Sequence, residues 1–195
     1  MKPSLLSVEK VFFLKVRVDS NPDWLGDYSD ELLQIAFDYK GSRFTRKVEL
    51  GYPEDEIGDP RNFSVALNLR LVKSTQEDGF DLPYDVDITA MALIRYRSDQ
   101  HSGSDRFRVV RHAAYTILYG AIREMTSTLT ARSVHGMWSL PAADFASAAR
   151  EEGEVDEAER IESIGQKSLV KDGAVKKTKR RSKEKNQSKS DVESD

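Results

Sequence analysis

The chain has 195 residues, 38% hydrophobic and 32% charged, which is long enough for one domain with a real core plus a polar appendage. It has no run of about 18 apolar residues, no signal-peptide pattern in MKPSLLSVEK and no cysteine; a membrane span, a secretory leader, a disulfide frame and a thiolate site are therefore not expected, and the cytoplasm is the expected compartment. Of the net charge of −3, residues 166–195 carry +5 from ten Lys/Arg against five Asp/Glu, which leaves −8 on the first 165 residues: an acidic body with a basic tail.

The chain opens with VFFLKVRVD, which alternates Phe12, Leu14, Val16 and Val18 against Phe13, Lys15 and Arg17 and predicts a half-buried strand over residues 7–19. SNPDWLGDYSD (20–30) is a connection by its Asn, Pro, Asp, Gly and Ser content, yet it carries Trp24 and Tyr28. Leu33, Ile35, Phe37 and Tyr39 alternate next, and after Lys40-Gly41-Ser42 the pattern resumes with Phe44, Val48 and Leu50, as one bent strand or a hairpin. NFSVALNLRLVK and YDVDITAMALIRYR supply two further strands, with Phe63, Val65, Leu67, Leu69 and Leu71 alternating in one and Val86, Ile88, Ala90, Ala92 and Ile94 in the other. The connections are too short for parallel crossovers, so the sheet is antiparallel with one face to be covered.

From about Ser104 the period changes. Ala114, Leu118, Ala121, Ile122, Met125 and Leu129 recur at helical spacing and predict a long helix. A second, shorter helix is expected from Pro141 or Ala142 through AADFASAAREEGEVDEAERIE, its acidic end fraying into solvent. Strands first and helices last make an α+β domain over residues 1–165; residues 166–195 lack the apolar groups to offset ordering entropy and read as a disordered basic tail.

Enzyme signatures are absent: there is no GxSxG, GxxxxGK[ST], GxGxxG or HExxH. HSGSD (101–105) has the composition of any polar strand-to-helix loop, and His101, His112 and His135 are too scattered to suggest a metal site, so no catalytic residue, metal or cofactor is expected. Adjacent Arg123 and Glu124 suit ion pairs with other elements or subunits. The basic tail could hold phosphates or an acidic partner, but it lacks the aromatics of a nucleic-acid module and reads rather as solubilising. More informative are Trp24, Tyr28, Met137, Trp138, Leu140 and Phe145, which sit in connections where no core can be assumed to absorb them. They can line a groove for apolar polypeptide segments, or seal a sheet edge or a subunit interface; composition leaves both open.

Ile117-Leu118-Tyr119, Ala121-Ile122-Arg123-Glu124, Leu129, Arg132 and then Leu140-Pro141 with Asp144-Phe145 resemble the closing signature of the SecB export-chaperone family. Asp144 stands where that family usually has Asn, and Arg123, Arg132 and Phe145 keep its spacing without a gap. Over residues 7–97 the likeness is one of architecture only. The resemblance implies an ATP-independent holdase for unfolded or precursor polypeptides, built as a dimer or a homotetramer, with Tyr119, Arg123, Glu124 and Arg132 in structural or oligomer contacts. It also implies that Trp24 in the crossover, with Met137, Trp138, Leu140 and Phe145 after the main helix, lines a client groove. The family docks on the translocation motor through acidic residues of the outer sheet face, where this chain offers Lys15 and Arg17 with Asp19. Export is thus the first process implied, a dedicated client such as an antitoxin the second, and a nucleic-acid adaptor acting through the tail the rival class.

Overall fold

The computed structural model describes residues 4–24, 42–73 and 82–167. Four strands, β1 (Leu6–Ser20), β2 (Ser42–Gly51), β3 (Asn62–Lys73) and β4 (Tyr84–Tyr96), form one antiparallel sheet in the order β1-β4-β3-β2. β2, β3 and β4 form a meander and β1 returns beside β4, so the sheet has Greek-key order with β1 and β2 at its edges. Helix α1 (Gly103–Thr130) lies across β4 and β3 and touches β1 less, and a second helix, α2, occupies 146–167. The α+β architecture expected from the strand and helix periods is the one observed. The first half of the expected second strand, Tyr28 and almost all of the basic tail lie outside the described residues.

Strict alternation built the two central strands. Tyr84, Val86, Ile88, Ala90, Ala92, Ile94 and Tyr96 of β4 are buried, as are Phe63, Val65, Leu67, Leu69 and Leu71 of β3, and together they meet the apolar stripe Phe107, Val110, Ala114, Tyr115, Leu118 and Ile122 of α1. β1 departs from the simple reading. Its register slips between Val8 and Lys10 and again between Phe13 and Lys15, so it carries two bulges. Val8, Val11, Phe13, Val16 and Val18 therefore stand opposite the core-facing Ile94, Ala92, Ala90, Ile88 and Val86, whereas Phe12 joins Met91 and Ala66 on the other face. The expected grouping of Phe12 and Leu14 with Val16 and Val18 is corrected, because each inserted residue reverses the alternation that follows.

α2 also differs from expectation. It has at least 22 residues, runs through 165 to the last described residue, and two of its acidic residues, Glu152 and Asp156, are bonded to the body. The domain boundary placed at 165 thus falls inside a helix.

Candidate functional site

Thr126 and Thr130 hydroxyls bond back to the Ile122 and Thr126 carbonyls, at 2.9 and 2.8 Å, in the last turns of α1. After the helix ends at Ala131, Gly136 takes a left-handed φ of 74° and the chain doubles back along α1. The Trp138 N–H then donates to Thr130 Oγ1 at 2.8 Å and Ser127 Oγ donates to the Trp138 carbonyl at 3.2 Å. Tyr84, at the start of β4, donates to the Gly136 carbonyl at 2.8 Å and accepts the His135 N–H at 3.1 Å. The residues after α1 are thereby strapped over one end of the sheet.

That strap decides the fate of the expected groove residues. Trp138 and Leu140 are 1% exposed and Phe145 is 9% exposed, so all three are core side chains of the subunit. Within the single subunit they face inward: Trp138 tilts against Tyr84 at 5.8 Å, and Phe145 wedges between Tyr115 and Tyr119 at 5.5 and 5.3 Å. The Trp138 backbone and the Tyr84 and Tyr119 hydroxyls find partners along the strap, and the aromatic bodies go inward. Met137 is half-buried. Trp24 is half-buried too, with its ring edge-on to His135 at 5.0 Å. His135 Nε2 meets the Asn21 carbonyl at 2.6 Å, which ties the end of β1 to the strap.

The signature residues meet in space. Tyr119 donates to the Pro141 carbonyl at 2.7 Å, and Arg123 Nε donates to Ser139 Oγ at 3.2 Å. Glu124 and Arg132 are exposed on and just after α1.

Two features went unread in the sequence. First, apolar side chains stay uncovered along β1, in the last turn of α1 and just after it: Val8, Val11, Leu14 and Val16, then Leu129 and Val134, with Leu14 at 56% and Val134 at 69%. Their cause is tertiary, since α1 sits over β4 and β3 and leaves the edge strand short of cover. The second is an ionic cluster joining three elements. Arg111 of α1 grips Asp156 of α2 by two hydrogen bonds, 2.5 and 2.6 Å, and Glu152 by a third at 2.6 Å. Arg46 of β2 and the Tyr115 hydroxyl also bond Glu152. Burial alone would ease the Arg111 proton off, but the carboxylate of Asp156 and the Tyr115 hydroxyl outweigh it and raise its pKa above the ordinary value. Burial, helped by Glu152, raises the Tyr115 hydroxyl likewise. The Glu152 and Asp156 pair, four apart on α2, was the one trace of this cluster in the sequence. Beside it a cleft of about 370 Å³ opens between β2 and α2, lined by Val48, Leu50 and Val155 as well as by the charged groups.

On the outer sheet face the carboxylates are largely paired. Lys15 reaches Asp87 at 2.6 Å and Arg17 reaches Asp19 at 2.5 Å. Among the described residues no group of three or more His, Asp or Glu side chains could hold a metal ion, and no helix is long and apolar enough to cross a membrane.

No family model matches the sequence, and no curated protein matches it. Among solved structures, the chain is similar to a SecB-like chaperone of Mycobacterium tuberculosis, solved in complex with a ChAD peptide from the HigA1 antitoxin. The identity is 16% and the TM-score 0.43, with 71% of this chain and 90% of that one covered. It is also similar to a protein of unknown function from Streptococcus agalactiae, at 15% identity and a TM-score of 0.38, with 70% of this chain and 97% of that one covered.

Proposed function

We propose that this chain is the subunit of a SecB-like, ATP-independent holdase that keeps non-native polypeptides from aggregating in the cytoplasm. The observation that carries the reading is the apolar surface a single subunit leaves uncovered, running along β1 through Val8, Val11, Leu14 and Val16 and resuming at Leu129 and Val134. Apolar area binds at about 25 cal/mol per Å² whatever the sequence that supplies it, which is what an unfolded client requires. We assign the exposed side of α1, including Glu124 and Arg132, to the dimer or tetramer contact, which leaves the apolar side chains of β1 for the client. Trp24 and Met137 become the client-facing residues of the original set, and Trp138, Leu140 and Phe145 the floor that holds them in place.

A client is bound by contact area alone, so neither a nucleotide nor a metal is part of the mechanism. Delivery to a dedicated client is favoured over docking on an export motor by the outer face, where Asp87 and Asp19 are already neutralised by Lys15 and Arg17. The residues after α2, 168–195, are proposed as a solubilising appendage.

Light scattering of a denatured client mixed with near-stoichiometric protein tests the reading; unslowed aggregation sinks it. Trp24→Ala is expected to weaken client protection while oligomer size is kept. Trp138→Ala is expected instead to destabilise the subunit by about 3–5 kcal/mol, measured by urea unfolding. Deletion of 166–195 should leave protection intact; loss of salt-sensitive nucleic-acid binding on that deletion, with no anti-aggregation activity in either form, would favour the adaptor reading.

A further inference from the structure

We infer that α2 is a latched flap: it lifts as a unit from the β2 and α1 face, and the Arg111 cluster is its clasp. Two kinds of contact hold α2, and they are unequal. Its apolar grip is small, consisting of Ala149, fully buried, half-buried Ala148, and Gly153 pressed against the Arg108 backbone. Its polar grip is extensive. Asp156 and Glu152 are held by Arg111, with Arg46 and Tyr115 adding to Glu152. Further along, Arg160 donates to the Ile57 and Gly58 carbonyls at 2.8 and 3.2 Å, and Lys167 pairs with Glu54 at 3.2 Å.

Contacts of these two kinds respond differently to opening. Buried apolar area is lost outright when surfaces part, whereas ions regain hydration, so an ion-held interface separates at a smaller net cost than its bond count suggests. The side chains around the clasp already touch water: those of Glu152 and Arg46 are 30% and 26% exposed. Directly behind it lies the open cleft, whose apolar wall of Val48, Leu50 and Val155 is already half-parted. Residues 141–145 precede α2 without helical structure and provide the pivot. Lifting α2 widens this cleft along the length of β2 into a trough for an extended apolar segment. That last step rests on the holdase reading; the opening itself does not.

The absence of cysteine allows a direct test in the full chain. Ala149→Cys places the only thiol on the buried side of α2, where a thiol reagent reaches it only when the helix lifts. Adding Asp156→Asn or Glu152→Gln, which keep shape and remove charge, is expected to speed labelling by about tenfold or more, the size of one lost charge-assisted hydrogen bond. The urea midpoint of the sheet and α1 should stay nearly constant. Labelling that does not change, or that rises only in step with lost global stability, overturns the inference. Hydrogen exchange of the unsubstituted chain checks it independently of any variant: α2 amides should exchange through openings that α1 amides do not share, and equal protection of the two helices overturns it. If the chain fails to protect a denatured client while labelling responds as expected, the holdase reading falls and the flap stands.

Discussion

The two helices of this domain are attached by opposite means. α1 buries Phe107, Val110, Ala114, Tyr115, Leu118 and Ile122 against the sheet, a continuous stripe at helical spacing. α2 buries two small residues, Ala149 and Gly153, and is fastened further along by Glu152 and Asp156 to guanidinium groups of α1 and β2 and by Arg160 to the Ile57 carbonyl. An apolar stripe makes a helix part of the cooperative core. An ionic seam makes it an attachment whose strength depends on charge, salt and geometry.

The largest test of that contrast is Leu118→Ala, which opens a cavity beneath α1. It is expected to lose about 2–5 kcal/mol, seen as a fall in the urea midpoint of the whole domain. Should α1 unfold separately from the sheet, the assignment of α1 to the core unit is wrong.

Gly153→Ala comes next. A Cβ there would sit 2.8 Å from the Arg108 nitrogen and 3.1 Å from its Cα, both backbone atoms that cannot step aside. Alanine is otherwise the better helix former by about 1 kcal/mol, so a purely local helix would gain. We expect α2 docking to weaken by about 1–3 kcal/mol from overpacking, measured as faster amide exchange in α2 with α1 unchanged. Slower exchange in α2 would show that its close approach to α1 does not govern docking.

The smallest effect concerns acid. Hydrogen bonds from Arg106 and Arg61 hold the Asp59 carboxyl below the usual carboxylate range, and the backbone N–H groups of Arg61 and Asn62 do the same for Glu56. A depressed folded pKa contributes stability that is present above the unfolded value of about 4 and lost as pH falls through the folded value. These groups clamp the loop before β3 to the start of α1. A modest loss of stability is therefore expected on going from pH 5 to about pH 3, checked by thermal unfolding, and Asp59→Asn should flatten part of that slope.

Alternation in NFSVALNLRLVK and YDVDITAMALIRY made the central strands legible, because both neighbours of each strand and the helix above enforce a period of two. β1 was legible as a strand but not in its faces: its bulges fall at Glu9 and Leu14, and nothing local in VEKVFFLKV marks a skipped pairing. The burial of Trp138, Leu140 and Phe145 within the subunit was not legible for a related reason. Trp138, Leu140 and Phe145 follow glycine, serine and proline as exposed residues do, yet the strap that buries them depends on hydroxyls at Ser127, Thr130 and Tyr84, the last of them 54 residues away from Trp138.

The sequence by itself determined the elements, their antiparallel class and the apolar stripe of α1, since periodicity is a local property and the core of a two-layer domain rewards it at every position. Only the tertiary structure decided which aromatics are covered, which edge stays bare and what holds α2. Burial and ion pairing are relations between distant segments: Arg46, Arg111, Glu152 and Asp156 are ordinary surface charges in the text of the chain, and become a clasp only when β2, α1 and α2 bring them within hydrogen-bond reach.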